Sequence, residues 1–400
     1  KPHKEPYLKA IKLLETTVDK CTIFEDSNSG YKSAKSLGDI NITLILHENS
    51  SYDILNADEY KIRDYNDFKY EHFKKSKREP DIKDVLINKL DNLPIVDIKI
   101  NNIDMKTGYI CDIKSLRLVL NDDYEDVVLK IENKDNELSN VARKINLYSN
   151  EVYFYEKLAN IINLKSPKFY TSVDYRGKKS ILLENLHKYN GSFNLDLNTN
   201  IDILLTVVKH ITNMHNRFCF KNQDEILPDM KKINKINEIT FYKTLIDERY
   251  EMFLKNNKLL LTQEEINIFN NIYNNFDSLI NNCGNFPLNF CHGDLKSPNI
   301  FYKNNLEPYF LDWQYIHLNK GISDIVFLLV ESTDYDQHIN SIILNYYYKT
   351  SNMYDNYELF LLDFKTALCI FPFFVLVWFN SENRDNLLDK VFPINFMKNT

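Results

Sequence analysis

Residues 291–314, CHGDLKSPNIFYKNNLEPYFLDWQ, leave this chain little freedom. Two short apolar runs with aromatics, 300–302 and 308–311, flank Lys303-Asn304-Asn305-Leu306-Glu307. That middle stretch is polar and Asn-rich, the composition of a β-hairpin turn. If pairing is centred between Asn305 and Leu306, Asn299 lies directly opposite Asp312, and directly opposed residues bring their Cβ atoms to about 5 Å. A carboxylate and an amide oxygen at that separation suit Mg²⁺, a hard cation that takes few protein ligands and completes its shell with water and phosphate. Asp294, in the His292-Gly293-Asp294 turn five residues before Asn299, then faces an incoming hydroxyl. Such a set can deprotonate an alcohol while holding the phosphates of a nucleotide. The other reading of the hairpin alone is a surface ribbon with solvated Asp and Asn.

The run from His292 to Asn299, HGDLKSPN, followed by Leu311-Asp312-Trp313, resembles the catalytic signature of the aminoglycoside phosphotransferase and choline kinase families. Gln314 and the later Gly321-Ile322-Ser323-Asp324-Ile325 most resemble the ecdysteroid-kinase-like branch. The resemblance implies an α+β, two-lobed protein-kinase-like fold: a small antiparallel-sheet lobe and a larger, mainly helical one. It also implies ATP and Mg²⁺ as cofactors and a small-molecule alcohol as acceptor. On that mapping Asp294 takes the acceptor's proton, and Lys296 reaches the transferring phosphoryl group. Asn299 and Asp312 hold the metal. His292 braces the turn, and Asp324 anchors the catalytic loop by hydrogen bonds.

A kinase also needs a lysine for the α- and β-phosphates and a helical glutamate to orient it. Residues 127–132, VVLKIE, read as a short strand with Lys130 embedded in it. A buried lysine demands a partner. Residues 138–162 read as one long helix, with Leu147, Glu151, Tyr155, Leu158 and Ile162 at helical spacing. Glu151 is the carboxylate on that mostly apolar face, and the resemblance aligns it with the family's helical glutamate. Taken singly, Lys130 is a strand-edge lysine and Glu151 a surface charge; taken in order, they form an ion pair. The chain has eight glycines and neither GxGxxG nor GxxxxGK[ST], which excludes a dinucleotide fold and a P-loop. The phosphate-contacting candidate is Gly108, in a turn between strands expected at 96–103 and 113–120. Residues 180–186, SILLENL, resemble the family's hinge, where Glu184 and Leu186 would offer main-chain groups to the adenine. His215, on a helix expected at 203–217, reads as a hydrogen-bonded core histidine.

Four hundred residues exceed a single core. The expected division is an N-terminal extension of unclear role at 1–80, a small lobe with hinge at 81–186, and a large lobe at 187–400. The extension holds an amphipathic stretch at 7–18, a β-like piece at 40–47 and a basic run at 74–79. A helix at 81–90 leads into the small lobe. The net charge of −7 argues against nucleic acid. Six scattered cysteines without metal-ligand spacing suggest free thiols in a reducing, cytoplasmic setting. No secretory leader is expected from the polar first residues. The longest apolar run, 367–379, contains Pro372 and is too short to span a bilayer.

Three other readings stand beside the small-molecule kinase. HGDLKSPN is close to the HRDLKxxN of protein kinases, although HGD, DWQ and the lack of an APE-like segment point away. An inactive pseudokinase acting as a scaffold is the second, and an interaction protein built on the N-terminal arm is the third. The acceptor is not legible. Glu331, Asp334, Asp336 and Glu382 are either contacts for an amine-bearing substrate or surface charges.

Overall fold

The computed structural model describes residues 3–38, 40–55, 57, 59–68, 82–100, 110–121, 123–133, 137–257, 259, 261–334 and 336–378. The chain divides into two compact units, Lys1–Leu86 and Ile87–Thr400.

In the first unit α1 (Glu5–Leu13) precedes β1 (Thr22–Glu25), α2 (Asn28–Lys35), β2 (Asn41–Ile45), α3 (Tyr52–Leu55) and β3 (Tyr60–Ile62). The three strands are parallel, in the order β1-β2-β3. Four consecutive residues of β2, Ile42 to Ile45, are buried, as befits a parallel strand covered on both faces. Ser27 caps α2 by accepting from the Gly30 N–H at 3.1 Å. Tyr31, Ala34, Ile42, Leu44 and Ile54 form the core of this unit. The amphipathic stretch expected at 7–18 is helical only to Leu13, and Glu15 adopts φ 48°. The basic run at 74–79 lies outside the described residues.

α4 (Ile82–Lys89) precedes, in sequence, an antiparallel sheet of five strands. These are β4 (Ile95–Ile100), β5 (Cys111–Leu120), β6 (Tyr124–Glu132), β7 (Phe169–Tyr175) and β8 (Lys178–Glu184), in the order β4-β5-β6-β8-β7. Alternation along β6 buries Val127, Leu129 and Ile131 on one face and turns Lys130 to the other. The helix expected at 138–162 is broken. It consists of α5 (Glu137–Lys144), α6 (Leu147–Tyr153), a π-helical turn at Phe154–Leu158 and α7 (Ala159–Ile162). Asn146 stands between α5 and α6 at φ 61°, a left-handed conformation that asparagine tolerates better than most residues and that ends a helix.

The larger lobe contains β9 (Gly191–Phe193), α8 (Ile201–Arg217), β10 (Cys219–Phe220), α9 (Phe241–Asn257), α10 (Gln263–Asn274) and α11 (Phe276–Cys283). It continues with β11 (Leu288–Cys291), β12 (Ile300–Lys303), β13 (Glu307–Phe310), β14 (His317–Asn319), α12 (Ile322–Ser332), α13 (Gln337–Thr350) and α14 (Tyr357–Trp378). Two small sheets, β10-β11-β14 and β13-β12-β9, carry the ends of the segment singled out in the sequence. One hydrophobic cluster runs from Val141 and Leu158 through Trp313 and Ile325 to Phe371 and Phe373. The two lobes therefore share a core. The apolar run 367–379 contributes Leu368, Ile370, Phe371 and Phe373 of α14 to it, and among the described residues no helix is long and apolar enough to cross a membrane.

The hairpin register differs by one residue from the expected one. Ile300 pairs with Phe310 and Lys303 with Glu307, closing a three-residue loop in which Asn304 and Asn305 have φ 53° and 56°. Asn299 consequently stands against Leu311, whose N–H donates to its carbonyl at 2.9 Å, rather than against Asp312. Asp312 lies two residues past the last pair of the ladder and turns out of it at φ 60°, ψ 51°.

Candidate active site

β11 delivers His292, Gly293 and Asp294 to the end of a strand, and three anchors fix the turn there. The N–H groups of His292 and Gly293 donate to the two carboxylate oxygens of Asp324 at 2.8 Å each. The His292 ring donates from Nε2 to the Leu311 carbonyl at 2.9 Å, while its Nδ1 accepts from the Asp294 N–H at 3.3 Å. Gly293 has φ 83°, and an added Cβ would meet the Tyr315 carbonyl oxygen at 2.2 Å. Only glycine fits both demands.

Asp294 is buried with both oxygens engaged. Lys296 Nζ lies 2.9 Å from Oδ1, and Asn299 Nδ2 donates to Oδ2 at 2.8 Å and to the Asp294 carbonyl at 2.9 Å. Burial pushes this carboxyl up to about 6, against the pull of Lys296 and Asn299. Burial also opposes the charge on Lys296, but Asp294, then Glu331 and Asp312, hold its pKa above the usual lysine value. Because the amide nitrogen of Asn299 is turned to Asp294, its Oδ1 is left to face other partners.

Lys130 joins the two lobes. Its Nζ lies 2.9 Å from Glu151 Oε1 and 2.8 Å from Oε2, and it also donates to Asp312 Oδ1. Burial works against the ammonium, yet Asp312 and Glu151 outweigh it and keep its pKa well above the ordinary value. Asp312 is held low by the same contact despite its burial, whereas burial pushes Glu151 up. One cation thus serves two carboxylates from segments far apart in the chain.

The helix carrying Glu151 is seated directly on the segment carrying Asp312. Trp313 stacks on Phe154 with ring centroids 4.0 Å apart and planes 6° from parallel. Its Nε1 donates to the Phe310 carbonyl at 3.0 Å, and Asn150 Nδ2 donates to the Gln314 carbonyl at 3.3 Å. Sequence reasoning missed Phe154 and Asn150 in this role. The signal available was an asparagine and an aromatic flanking Glu151 within one helix turn.

Glu184 closes β8 and Leu186 opens the following 3₁₀ turn, Leu186–Lys188, between the sheet and the larger lobe. The Glu184 side chain is committed locally. It accepts from the Tyr189 hydroxyl at 2.6 Å and the Lys168 N–H at 3.1 Å, and pairs with Lys188 at 2.9 Å. Gly108 lies outside the described residues, as does Glu382. Asp336 caps α13 by accepting from the His338 and Ile339 N–H groups at 2.8 and 3.0 Å. Its carboxylate is therefore used within the fold. A cleft of about 490 Å³, open mouth included, adjoins the turn and is lined by Gly293, Phe327, Phe371 and Phe374 among others.

The sequence model of the ecdysteroid kinase-like family matches residues 115–355, well over half of the chain, and spans the turn, the Lys130 ion pairs and the Trp313 stack. The chain belongs to the ecdysteroid kinase-like family. Its N-terminal unit lies outside the family's match. No curated protein matches the chain. Among solved structures, it is similar to choline kinase LicA from Streptococcus pneumoniae at 15% identity and a TM-score of 0.47, covering 76% of this chain and 93% of that one. It is also similar to macrolide 2′-phosphotransferase MphH from Brachybacterium faecium, at 12% identity and a TM-score of 0.46, covering 78% and 99%. A third similar structure is a thermostable mutant of aminoglycoside phosphotransferase APH(4)-Ia in ternary complex with AMP-PNP and hygromycin B, at 12% identity and a TM-score of 0.44, covering 74% and 90%.

Proposed function

We propose that this member of the ecdysteroid kinase-like family transfers the γ-phosphoryl group of ATP to a hydroxyl of a small molecule. The observation that carries the reading is Asp294, buried between Lys296 and Asn299 with its carboxyl at about 6. A carboxylate of that strength is ionised at neutral pH and still basic enough to accept a proton as the hydroxyl attacks. In this reading residues 81–186 form the small lobe and hinge, 187–400 the large lobe, and 1–80 an extension. A cytoplasmic setting goes with it, supported by the free state of the cysteines.

The donor set fits Mg²⁺. Asn299 Oδ1 and the carboxylate of Asp312 are hard oxygen ligands of the kind that ion takes, and they would hold it. Bound there, the metal would supply positive charge against the β- and γ-phosphates. Asp294 orients the acceptor hydroxyl and takes its proton. Lys296, beside it, neutralises charge that builds on the phosphoryl oxygens, an electrostatic contribution that is often the largest one. Lys130, steadied by Glu151, faces the α- and β-phosphates. Glu184 and Leu186 present main-chain groups to the adenine, and Gly108 completes the phosphate contacts.

The test is ATP consumption over a panel of small alcohols and amino-alcohols by the wild type and Asp294→Asn. The wild type should turn ATP over slowly without acceptor and faster with one, while Asp294→Asn falls by 10²-fold or more, on the order expected for a lost general base. Equal turnover by the two proteins would remove Asp294 from its role.

A further inference from the structure

Asp324 holds the catalytic turn, and the structure shows what holds Asp324. Its Oδ2 lies 3.1 Å from His215 Nε2, in addition to the two backbone N–H groups it accepts from. On the other side of the ring, His215 Nδ1 lies 2.9 Å from the hydroxyl of Tyr347 on α13. His215 and Tyr347 are 0% exposed and Asp324 is 1% exposed, so none of these groups can turn to solvent. The chain closes over them at Gly321. A Cβ there would meet the Tyr347 hydroxyl at 2.5 Å and His215 Nδ1 at 2.6 Å.

A neutral imidazole donates from one nitrogen and accepts at the other. With the proton on Nδ1, His215 would present a bare Nε2 to a carboxylate, two acceptors face to face in a dry site. With the proton on Nε2, the Asp324 contact becomes a charge-assisted hydrogen bond. Nδ1 then needs a donor, and the Tyr347 hydroxyl is the group in reach. Cys291 offers a third ligand atom, within 4.8 Å of those of His215 and Asp324. A metal there would have to displace the hydrogen bonds to Asp324 and both ring contacts, so the cluster reads as a relay of hydrogen bonds.

We propose that Tyr347 fixes His215 as its Nε2–H tautomer and, through His215 and Asp324, sets the position of the turn that carries Asp294. Tyr347 is thus a positioning residue for the phosphoryl transfer proposed above, and its effect on turnover rests on that reading. The tautomer itself does not. A buried carboxylate with three donors fixes two successive backbone N–H groups, and removing one donor lets the turn drift. Drift at the base lowers the rate of transfer more than the affinity for nucleotide.

The experiment uses the full chain labelled with ¹⁵N-histidine, the His215 signals being assigned by their loss in His215→Gln. In the wild type, His215 should show a protonated Nε2 and a bare, hydrogen-bonded Nδ1. Tyr347→Phe should move the Nδ1 resonance toward that of an unbonded ring nitrogen or mix the tautomers. In steady-state ATP turnover, the same variant should lose about tenfold in kcat with the KM for ATP changed less than twofold. A proton on Nδ1 in the wild type overturns the proposal, as does a Tyr347→Phe spectrum identical to wild type. A shifted spectrum with unchanged kcat overturns the positioning role and leaves the tautomer. A wild type without any ATP turnover defeats the phosphotransfer reading instead, and the spectrum still decides the tautomer.

Discussion

Replacing Trp313 by alanine tests whether the aromatic stack seats the Glu151 helix on the Asp312 segment. Trp313 is 0% exposed, stacks on Phe154 at 4.0 Å, sits 4.5 Å from the His292 ring and donates to Phe310. Truncating a buried aromatic of this kind costs about 3–5 kcal/mol. Within that total, the hydrogen bond accounts for about 1 kcal/mol and the stack for roughly 0.5–1.5 kcal/mol. For a unit of this size the loss corresponds to a fall in Tm of roughly 10 °C. The functional effect follows from place. Trp313 is bonded to Asp312, and Phe154 lies three residues past Glu151, so both carboxylates around Lys130 lose a support together. Thermal melting should show the drop, and ATP titration should show KM raised about tenfold, equivalent to about 1.4 kcal/mol. Asn150→Ala, which removes only the bond to Gln314, should cost about 1 kcal/mol. If Trp313→Ala melts within 2 °C of the wild type, on the order of 1 kcal/mol or less, and binds ATP equally well, the stack is not what holds this arrangement.

Two further outcomes follow from the site. The pH profile of kcat/KM should have an acidic limb near pH 6, where Asp294 gains its proton, and Lys296→Met should move that limb up by about one unit or more, since the lost charge is the main group opposing burial; a limb below pH 5 in both proteins would contradict this. The linkage has a definite sign: the folded pKa of Asp294 is raised, so its contribution, about 3 kcal/mol, is fully present below the unfolded value near 4 and is lost as pH rises through 6. Gly293→Ala should be destabilised by more than the roughly 1–2 kcal/mol of its left-handed φ, since its Cβ would meet the Tyr315 carbonyl oxygen. It should also lose on the order of 10²-fold in ATP turnover as the turn shifts away from Tyr315. Retention of more than half the wild-type rate would show that the turn tolerates the displacement.

Much of the site was legible because its chemistry is concentrated. Asp294, Lys296, Asn299 and Asp312 fall within one short segment, and their spacing alone suggested a base beside a metal pair. The register of the hairpin was misjudged by one residue. Asn304 and Asn305 both adopt the left-handed conformation, and this makes the loop one residue different from the assumed turn. Asn146 escaped notice for a related reason: helical spacing continues across it, and a single left-handed residue leaves no mark on hydrophobic periodicity. The contacts that complete the site are non-local. Lys130 and Asp312 are 182 residues apart, and His215 and Tyr347 are 132 apart, so no window along the chain joins them. In the N-terminal unit the strands are too short for alternation to declare itself. The sequence reads only as a β-like piece at 40–47, and the burial of every residue from Ile42 to Ile45, which marks a parallel strand, shows only in the fold.

The π-helical turn between Glu151 and Ile162 has a consequence for how this chain can vary. A ring closed five residues apart instead of four takes up one extra residue without lengthening the helix by a full step. Here it lets Phe154 and Tyr155, adjacent in sequence, both point into the core, at 1% and 5% exposure. Deleting one residue from 154–158 would restore an ordinary helix with a full complement of backbone bonds. Residues after the deletion would keep nearly their present phase relative to Glu151, because the wide turn had absorbed the extra residue. A second residue added here would instead rotate everything after it by about 100° relative to Glu151. The carboxylate that steadies Lys130 and the aromatic packing beneath the sheet would then be out of phase, so this turn tolerates the loss of one residue better than the gain of another.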